Sequence, residues 1–375
     1  MDFNVSIDEH GNVTDDARIR AALPTVKYLL EKHAIVILMS HFGRPDGKPV
    51  QKYRMEKVAE SLGRLLGKKV KKASDCIGKE VTDTVSHMKG GEIVLLENLR
   101  FHAEEEKNDA TFAKQLAALG DVYINDAFGA SHRAHASVAA ITQFLPSYAG
   151  LLLEKEVNTL TKALENPKKP LIAIIGGAKV SDKLALIKNL SKKSSAILLG
   201  GAMVFTIYRA MGLETGKSKV EEDKVAMAKE LLGCNLTLPV DFVAAGTFSN
   251  DAPTSIVRFN GMPKELMCLD IGPETVKRFV KEVARAKTVI WNGPMGVFEF
   301  ETFEQGTRAI AEAVAKSGAE TIVGGGDTIA ALKKFGMLEQ FSFVSTGGGA
   351  MLELLEGKKL PAVAALEEAA ARMKQ

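Results

Sequence analysis

The chain has 375 residues, enough for two domains, and its 46% hydrophobic and 25% charged content is that of an ordinary globular protein. Lys+Arg 49 against Asp+Glu 46 leaves +3, which is no nucleic-acid footprint; three scattered cysteines, Cys76, Cys234 and Cys268, offer neither a disulfide framework nor a zinc site. The opening MDFNVSIDEHG is acidic and lacks the apolar stretch of a signal peptide, and no apolar run is long enough to span a bilayer, so a cytoplasmic location with no membrane partner is expected.

In chain order, residues 2–7 read as a short strand. Residues 18–32 read as a helix with Ile19, Ala22, Leu23, Val26 and Leu30 on one face and Thr14 or Asp15 as its cap. Residues 34–39 form an apolar strand ending in Ser-His-Phe-Gly-Arg-Pro, and Met55, Val58, Ala59, Leu62 and Leu66 mark the next helix. Strands follow at 92–96 and 121–125, the second leading to Asp126-Ala127-Phe128-Gly129 and on to His135. Such alternation indicates a doubly wound α/β sheet. Arg44, Arg100 and Arg133, with His41 and His132, follow these strands; Arg18 lies early in a helix, and Asp2 and Asn4 lie in the first strand. Ligands of open α/β sheets bind beyond the carboxyl ends of strands. Clustered guanidinium groups there suit a small phosphate- or carboxylate-bearing anion.

Leu153, Val157, Leu160 and Leu164 recur at helical spacing between Pro146 and Pro167, which reads as a helix connecting two domains. Leu171–Ile175 is then a buried strand, broken by Gly176-Gly177. Helix-compatible sequence follows, with Lys179 and Lys183 four residues apart and so on one face, a setting for a polyphosphate. The same strand-then-glycine punctuation recurs at 197–203, 288–296, 321–328 and 343–351. Bare peptide groups at neighbouring strand ends can approach phosphate oxygens closely. Elsewhere, 221–232 reads as a surface helix, 236–240 as a strand ending at Asp241, 250–261 as loop-rich or hairpin-like, and 364–373 as an alanine-rich helix.

One half thus offers cations to a small anion and the other offers glycine turns and lysines to a polyphosphate. The economical reaction is phosphoryl transfer between them, with Asp327 as the Mg²⁺ contact or the cap of its helix. An NAD-dependent oxidoreductase would need the GxGxxG spacing, which none of the glycine turns has. A two-lobed binding protein without turnover is the non-enzymatic alternative, and an ATP-dependent assay separates it from a kinase.

These motifs resemble the phosphoglycerate kinase family. The resemblance rests on Asp2-Phe3-Asn4, SHFGRP (40–45), LLENLRF (95–101), NDAFGASHRAH (125–135), GGAKVSDK (176–183), WNGPMGVFE (291–299), VGGGDT (323–328) and STGGGA (345–350), in order along essentially the whole chain. It implies two Rossmann-like domains with mostly parallel sheets, a glycerate-binding domain at 1–150 and a nucleotide-binding domain at 151–361, with the tail 362–375 packing back on the first. It implies reversible transfer between 1,3-bisphosphoglycerate and ADP, giving 3-phosphoglycerate and ATP, with Mg²⁺, by direct in-line transfer and hinge closure in a monomer that has no nucleic-acid partner. By motif, Asp2, Asn4, Arg18, His41, Arg44, Arg100 and Arg133 would hold 3-phosphoglycerate, and Arg18 would also stabilise the transferring group. Lys179 would act on the transferring phosphoryl and Lys183 on the nucleotide phosphates. Gly176, Gly177 and Ala178 would border the adenosine, with Gly201, Ala202 and Cys268 near the adenine. Asn292 would lie by the phosphates, Glu299 would hold the ribose, and Asp327 would approach the metal. Gly324, Gly325, Gly326, Thr328, Gly347, Gly348 and Gly349 would supply donors, Gly326 and Gly349 taking part in catalysis.

The chain departs from the family pattern at several points. Relatives usually carry a full first strand before Asp-Phe-Asn; here Met1 abuts Asp2, so a short first strand beside a charged α-amino group is expected. Ala202 stands where a third glycine is common and Cys268 where a glycine is usual, and their added bulk is expected to weaken nucleotide binding. Gly246 replaces a common Asp, and 232–238 is shorter than usual.

Overall fold

A computed structural model describes residues 1–374. The chain divides into two compact units, Met1–Asn158 together with the C-terminal stretch from Lys359, and Thr159–Lys358. The division falls within the helix Leu151–Glu165, eight residues beyond the boundary expected at 150.

In the first unit, a three-stranded parallel sheet runs Val36–Leu38, Ile93–Leu95, Lys71–Lys72, and a separate parallel pair joins Tyr123–Asn125 to Ser147–Ala149. The helix Ala17–Glu31 buries Ile19, Ala22, Val26 and Leu30, the apolar face that its periodicity predicts. Its N-cap is Asp16, with no side-chain cap bond, so neither Thr14 nor Asp15 caps it; Asp15 instead accepts from the Ala17 N–H just inside, at 3.0 Å. The strand expected over 2–7 shrinks to Ser6–Ile7, paired antiparallel with Val13–Asp15. Ahead of it the Phe3 N–H donates to Ser40 Oγ at 2.9 Å and the Asn4 N–H to Asp2 Oδ1 at 3.1 Å, side-chain acceptors in place of a strand partner. The final helix, Pro361–Met373, joins this unit, with the Ala362 N–H donating to Ser131 O and Arg372 to Thr142 O.

The second unit holds six parallel strands in the order Leu236–Thr237, Ala196–Leu199, Leu171–Ile175, Thr288–Asn292, Glu320–Gly324, Phe343–Val344. Leu171–Ile175 and Thr288–Asn292 are buried throughout, as central parallel strands require. Core residues Ile172, Ile174, Trp291, Phe279 and Val314 pack around them. Each large side chain so buried contributes about 1.5–3 kcal/mol. Sequence order runs outward one way from Leu171–Ile175 and the other way from Thr288–Asn292, so the topological switch lies between these two strands. The hairpin-like segment supplies Thr254–Arg258, antiparallel to Asp241–Ala245, which also pairs with Met267–Ile271. The strand expected over 236–240 stops at Thr237, and a second one starts at Asp241, where the first was expected to end. The helix expected over 221–232 is a broken run of single turns, Glu222–Lys224, Val225–Ala228 and Lys229–Leu231.

Candidate functional site

In the first unit the strand ends gather the expected cations around buried polar anchors. Both oxygens of the Asp2 carboxylate accept from Arg18 Nη1, at 2.9 and 2.8 Å, beside the Asn4 N–H on Oδ1. Burial works to raise the Asp2 pKa, but the charges of His41 and Arg18 and the Asn4 N–H outweigh it and hold the carboxyl below its ordinary range. Burial pushes His41 down to about 3 against the pull of Asp2, so near neutral pH Arg18, and not His41, is the side-chain cation bonded to Asp2. Asn4 Oδ1 accepts from the Gly43 N–H at 2.9 Å, and the Gly43 carbonyl accepts from Arg100 Nη1 at 2.9 Å. Arg100 is buried, and Glu106 lies 3.3 Å from its Nε. Burial lowers the Arg100 pKa; Glu106 opposes this, and the neighbouring Arg133 and Arg44 reinforce it. Arg44 and Arg100 thus act on each other within one patch, with Arg133 beside them. Asn98, which sequence reading passed over, organises it: its side chain accepts from the Phe42 and Arg100 N–H groups and donates to the Phe42 and Tyr53 carbonyls.

In the second unit the switch point is built from peptide groups in close contact. Gly176 follows Leu171–Ile175, and a Cβ there would collide with the Pro294 carbonyl oxygen. Gly201 adopts φ +71°, with its N–H donating to Met295 O at 2.8 Å. Asn292, buried at the end of its strand, donates to Gly324 O at 2.8 Å and accepts from the Lys183 ammonium. Thr328 Oγ1 accepts from the Gly293 N–H at 2.7 Å. Burial lowers the Lys183 pKa, opposed by Asp182, Asp327 and Glu356.

The two lysines do not share a helical face. The helix begins at Leu184 with Lys183 as its N-cap, and Lys179 lies in the preceding loop, exposed. Glu221 holds that loop: it accepts from the Val180 N–H at 2.5 Å, the Ser181 N–H at 3.2 Å and Ser181 Oγ at 2.7 Å. The sequence gives Glu221 no signal beyond its place at the head of an expected helix.

A cavity of about 550 Å³ opens beside the switch point, lined by Gly177, Ala178, Gly201, Ala202, Cys268, Glu299 and Asp327. Lys217, Lys219 and the rings of Phe205, Phe242 and Phe248 also line it, none of them singled out from sequence. Ala202 and Cys268 are thus both at the cavity wall, and Cys268 Sγ lies 3.7 Å from Met262 Sδ. Gly325 and not Asp327 is the N-cap of the helix Gly326–Lys334; Asp327 is exposed in its first turn. Gly347, Gly348 and Gly349 follow the edge strand Phe343–Val344, and none of them lines the cavity.

One exposed carboxylate close to Lys183 fits a hard divalent cation held mainly by phosphate oxygens and water, which is the usual Mg²⁺ arrangement. The other potential ligand cluster, Asp75, Cys76 and His102, uses its atoms on protein partners: His102 Nε2 lies 2.6 Å from Asp75 Oδ1, and Cys76 Sγ donates to Glu97 O. All three cysteines are free.

An arginine-lined anion patch in one α/β unit, and glycine-ended parallel strands with a lysine at the switch point of another, define a phosphotransferase class of protein. The family model "Phosphoglycerate kinase" matches residues 1–358. The phosphoglycerate kinase of Synechococcus elongatus is 54% identical over 380 residues, covering 99% of this chain and 94% of its relative; that of Moorella thermoacetica is 54% identical, covering 98% and 95%. Among solved structures, the phosphoglycerate kinase of Coxiella burnetii aligns with TM-score 0.88 at 41% identity, covering 98% of this chain and 95% of the other. That of Pyrococcus horikoshii aligns with TM-score 0.87 at 32% identity, covering 99% and 95%. The chain belongs to the phosphoglycerate kinase family, and its function is the glycolytic kinase activity of that family. No helix among the described residues is long and apolar enough to cross a membrane.

Proposed function

We propose that the chain transfers a phosphoryl group reversibly between 1,3-bisphosphoglycerate and ADP, acting as a cytoplasmic monomer with no nucleic-acid partner. Asp2, Asn4, Arg18, His41, Arg44, Arg100 and Arg133 hold the glycerate. Gly176, Gly177, Ala178, Gly201, Ala202, Cys268, Glu299, Gly324, Gly325 and Thr328 border the nucleotide. Lys183 and Asn292 contact its phosphates, and Gly326 and Gly349 donate N–H groups during transfer. The observation that carries this reading is the Lys183–Asn292 pair among glycine-ended strands at the topological switch.

The attacking oxygen belongs to a substrate, either the glycerate carboxylate or the ADP phosphate, so transfer is direct and no side chain has to act as base. Arg18, oriented by Asp2, and Lys179 neutralise charge on the transferring group. His41, neutral at working pH, offers a hydrogen bond and adds no charge. Mg²⁺, approached by Asp327, supplies charge neutralisation on the nucleotide phosphates when bound. With the ligands on separate units, hinge closure about the connecting helix brings them together and excludes the water that would hydrolyse the acyl phosphate.

A coupled assay of 3-phosphoglycerate with ATP, with and without Mg²⁺, tests the proposal. Turnover should require the metal, and Arg18→Ala and Lys179→Ala should each lower kcat by on the order of 10²–10³. Near-normal turnover in both variants overturns the assigned roles.

A further inference from the structure

The cavity beside the switch point has two chemically different walls. One is formed at the ends of the parallel strands, where Lys183 and Asn292 meet among bare peptide groups. The other includes Met267–Ile271, a strand of the separate antiparallel sheet. The segment from Gly216 to Lys219 is fastened to this second wall. Gly216, at φ +56°, packs so closely that a Cβ would collide with the Leu266 and Pro263 carbonyl oxygens. The Lys217 N–H donates to Leu266 O at 2.8 Å, and Ser218 Oγ accepts from the Cys268 N–H at 3.0 Å. Ser218 is buried, whereas Lys217 and Lys219 on either side of it are exposed, and both stand at the cavity wall. Among the described residues no carboxylate pairs with either ammonium. Two cations on flexible four-carbon stems are thus available to a ligand at a wall separate from Lys183 and Asn292.

A nucleotide whose phosphates sit at Lys183 extends its base away from them, which leaves the base for this second wall. Phe205 and Phe242, with ring centroids 4.9 Å apart, and the exposed Phe248 also line the space. Rings accept the face of any base and so do not choose among bases. The choice falls to groups that reach the base edge. A 6-oxopurine presents two adjacent acceptors there, O6 and N7, whereas adenine sets an N6 amino donor beside N7. An ammonium has three donors and no acceptor, so it satisfies the first edge and meets an opposing donor on the second.

Resting on the nucleotide reading of this cavity, we propose that Lys217 and Lys219 bind the O6–N7 edge of the base, so that guanosine and inosine nucleotides serve this chain in preference to adenosine nucleotides. ADP and ATP remain substrates, because the phosphate-binding groups and the rings hold every purine nucleotide alike.

Coupled assays of the full chain with 3-phosphoglycerate and ATP, GTP or ITP, and calorimetric titrations with ADP and GDP, test the proposal. GTP and ITP should each exceed ATP in kcat/KM by about tenfold, the discrimination one good contact to this edge supplies, and GDP should bind correspondingly tighter than ADP. ITP matching GTP shows that the guanine 2-amino group is not the handle. In a variant carrying both Lys217→Met and Lys219→Met, the GTP-to-ATP ratio should fall to about one. The proposal is overturned by a ratio at or below one in the unaltered chain, by a preference that the double variant retains, or by an equal loss for all three nucleotides, which would place the lysines on the phosphates. Absence of turnover with every nucleotide would count against the kinase reading, and the ratio of GDP to ADP affinity in the two proteins would still decide the base preference.

Discussion

Gly176 is the residue on which the nucleotide side turns, because two chain segments meet there with no space for a side chain. Its Cα sits where the Pro294 and Gly293 carbonyl oxygens converge, so even a methyl group must push backbone aside. Overpacking of this kind costs about 1–3 kcal/mol. Gly176→Ala is therefore expected to lower Tm and to weaken ADP binding at least tenfold, read by thermal unfolding and calorimetric titration. At Gly233 a Cβ would meet open space, and φ there is unstrained, so Gly233→Ala is the matched control and should shift stability by no more than about 0.5 kcal/mol. Equal Tm values for the two variants would contradict the close approach described for Gly176.

The loop between Leu171–Ile175 and the helix Leu184–Ser191 carries Lys179, and one side chain from far along the chain keeps it in place. Glu221→Ala removes all three of its bonds and leaves the Val180 N–H, in a buried residue, without its acceptor. Such an unmet donor costs about 1–3 kcal/mol. If about 1.4 kcal/mol of that appears as lost order in the loop, the KM for nucleotide rises about tenfold, while the KM for 3-phosphoglycerate stays put. Steady-state kinetics with each substrate varied in turn checks this, and equal changes in both constants would count against the clamp. The same loop marks where sequence stops being sufficient. Strand Leu171–Ile175 and its glycine stop were legible because burial and turn chemistry are local. The five strand–glycine junctions were legible together because a parallel sheet brings them to one edge. The helical placing of Lys179 and Lys183 failed because a tertiary clamp outweighs local propensity. The residue pattern puts Asp241 at a strand's end, whereas it begins one and its carboxylate accepts from the Glu274 and Thr275 N–H groups across the fold, bonds with no local signature. The cations of the first unit were legible by position, but Asn98, which orders them, looked like any polar loop residue.

At the scale of the whole molecule, the two units carry buried groups whose titrations oppose each other. In the first, burial holds His41 at about 3 and His135 at about 4, against an ordinary value of 6.5. The unfolded chain binds these protons first, so the stability they contribute is present above 6.5 and is lost as pH falls toward the folded values. Glu105 and Asp126, both raised by burial, offset part of this loss. In the second, burial raises Asp270 to about 8 against the N–H groups of Gly306 and Ile271. The sign reverses: that stability is full below 3.8 and is lost as pH rises through about 8. The chain's single tryptophan, Trp291, is buried in the second unit and reports on it alone. Urea unfolding followed by Trp291 fluorescence should show a midpoint that falls between pH 5 and 9, and Asp270→Asn should flatten that slope. The protection of the Leu38 and Leu95 amides against exchange, in the first unit's sheet, with the intrinsic pH dependence of exchange divided out, should instead fall below pH 6.5, and less so in His41→Gln. A Trp291 midpoint that climbs toward pH 9 would mean that Asp270 is ionised in the fold, with its two N–H donors outweighing its burial.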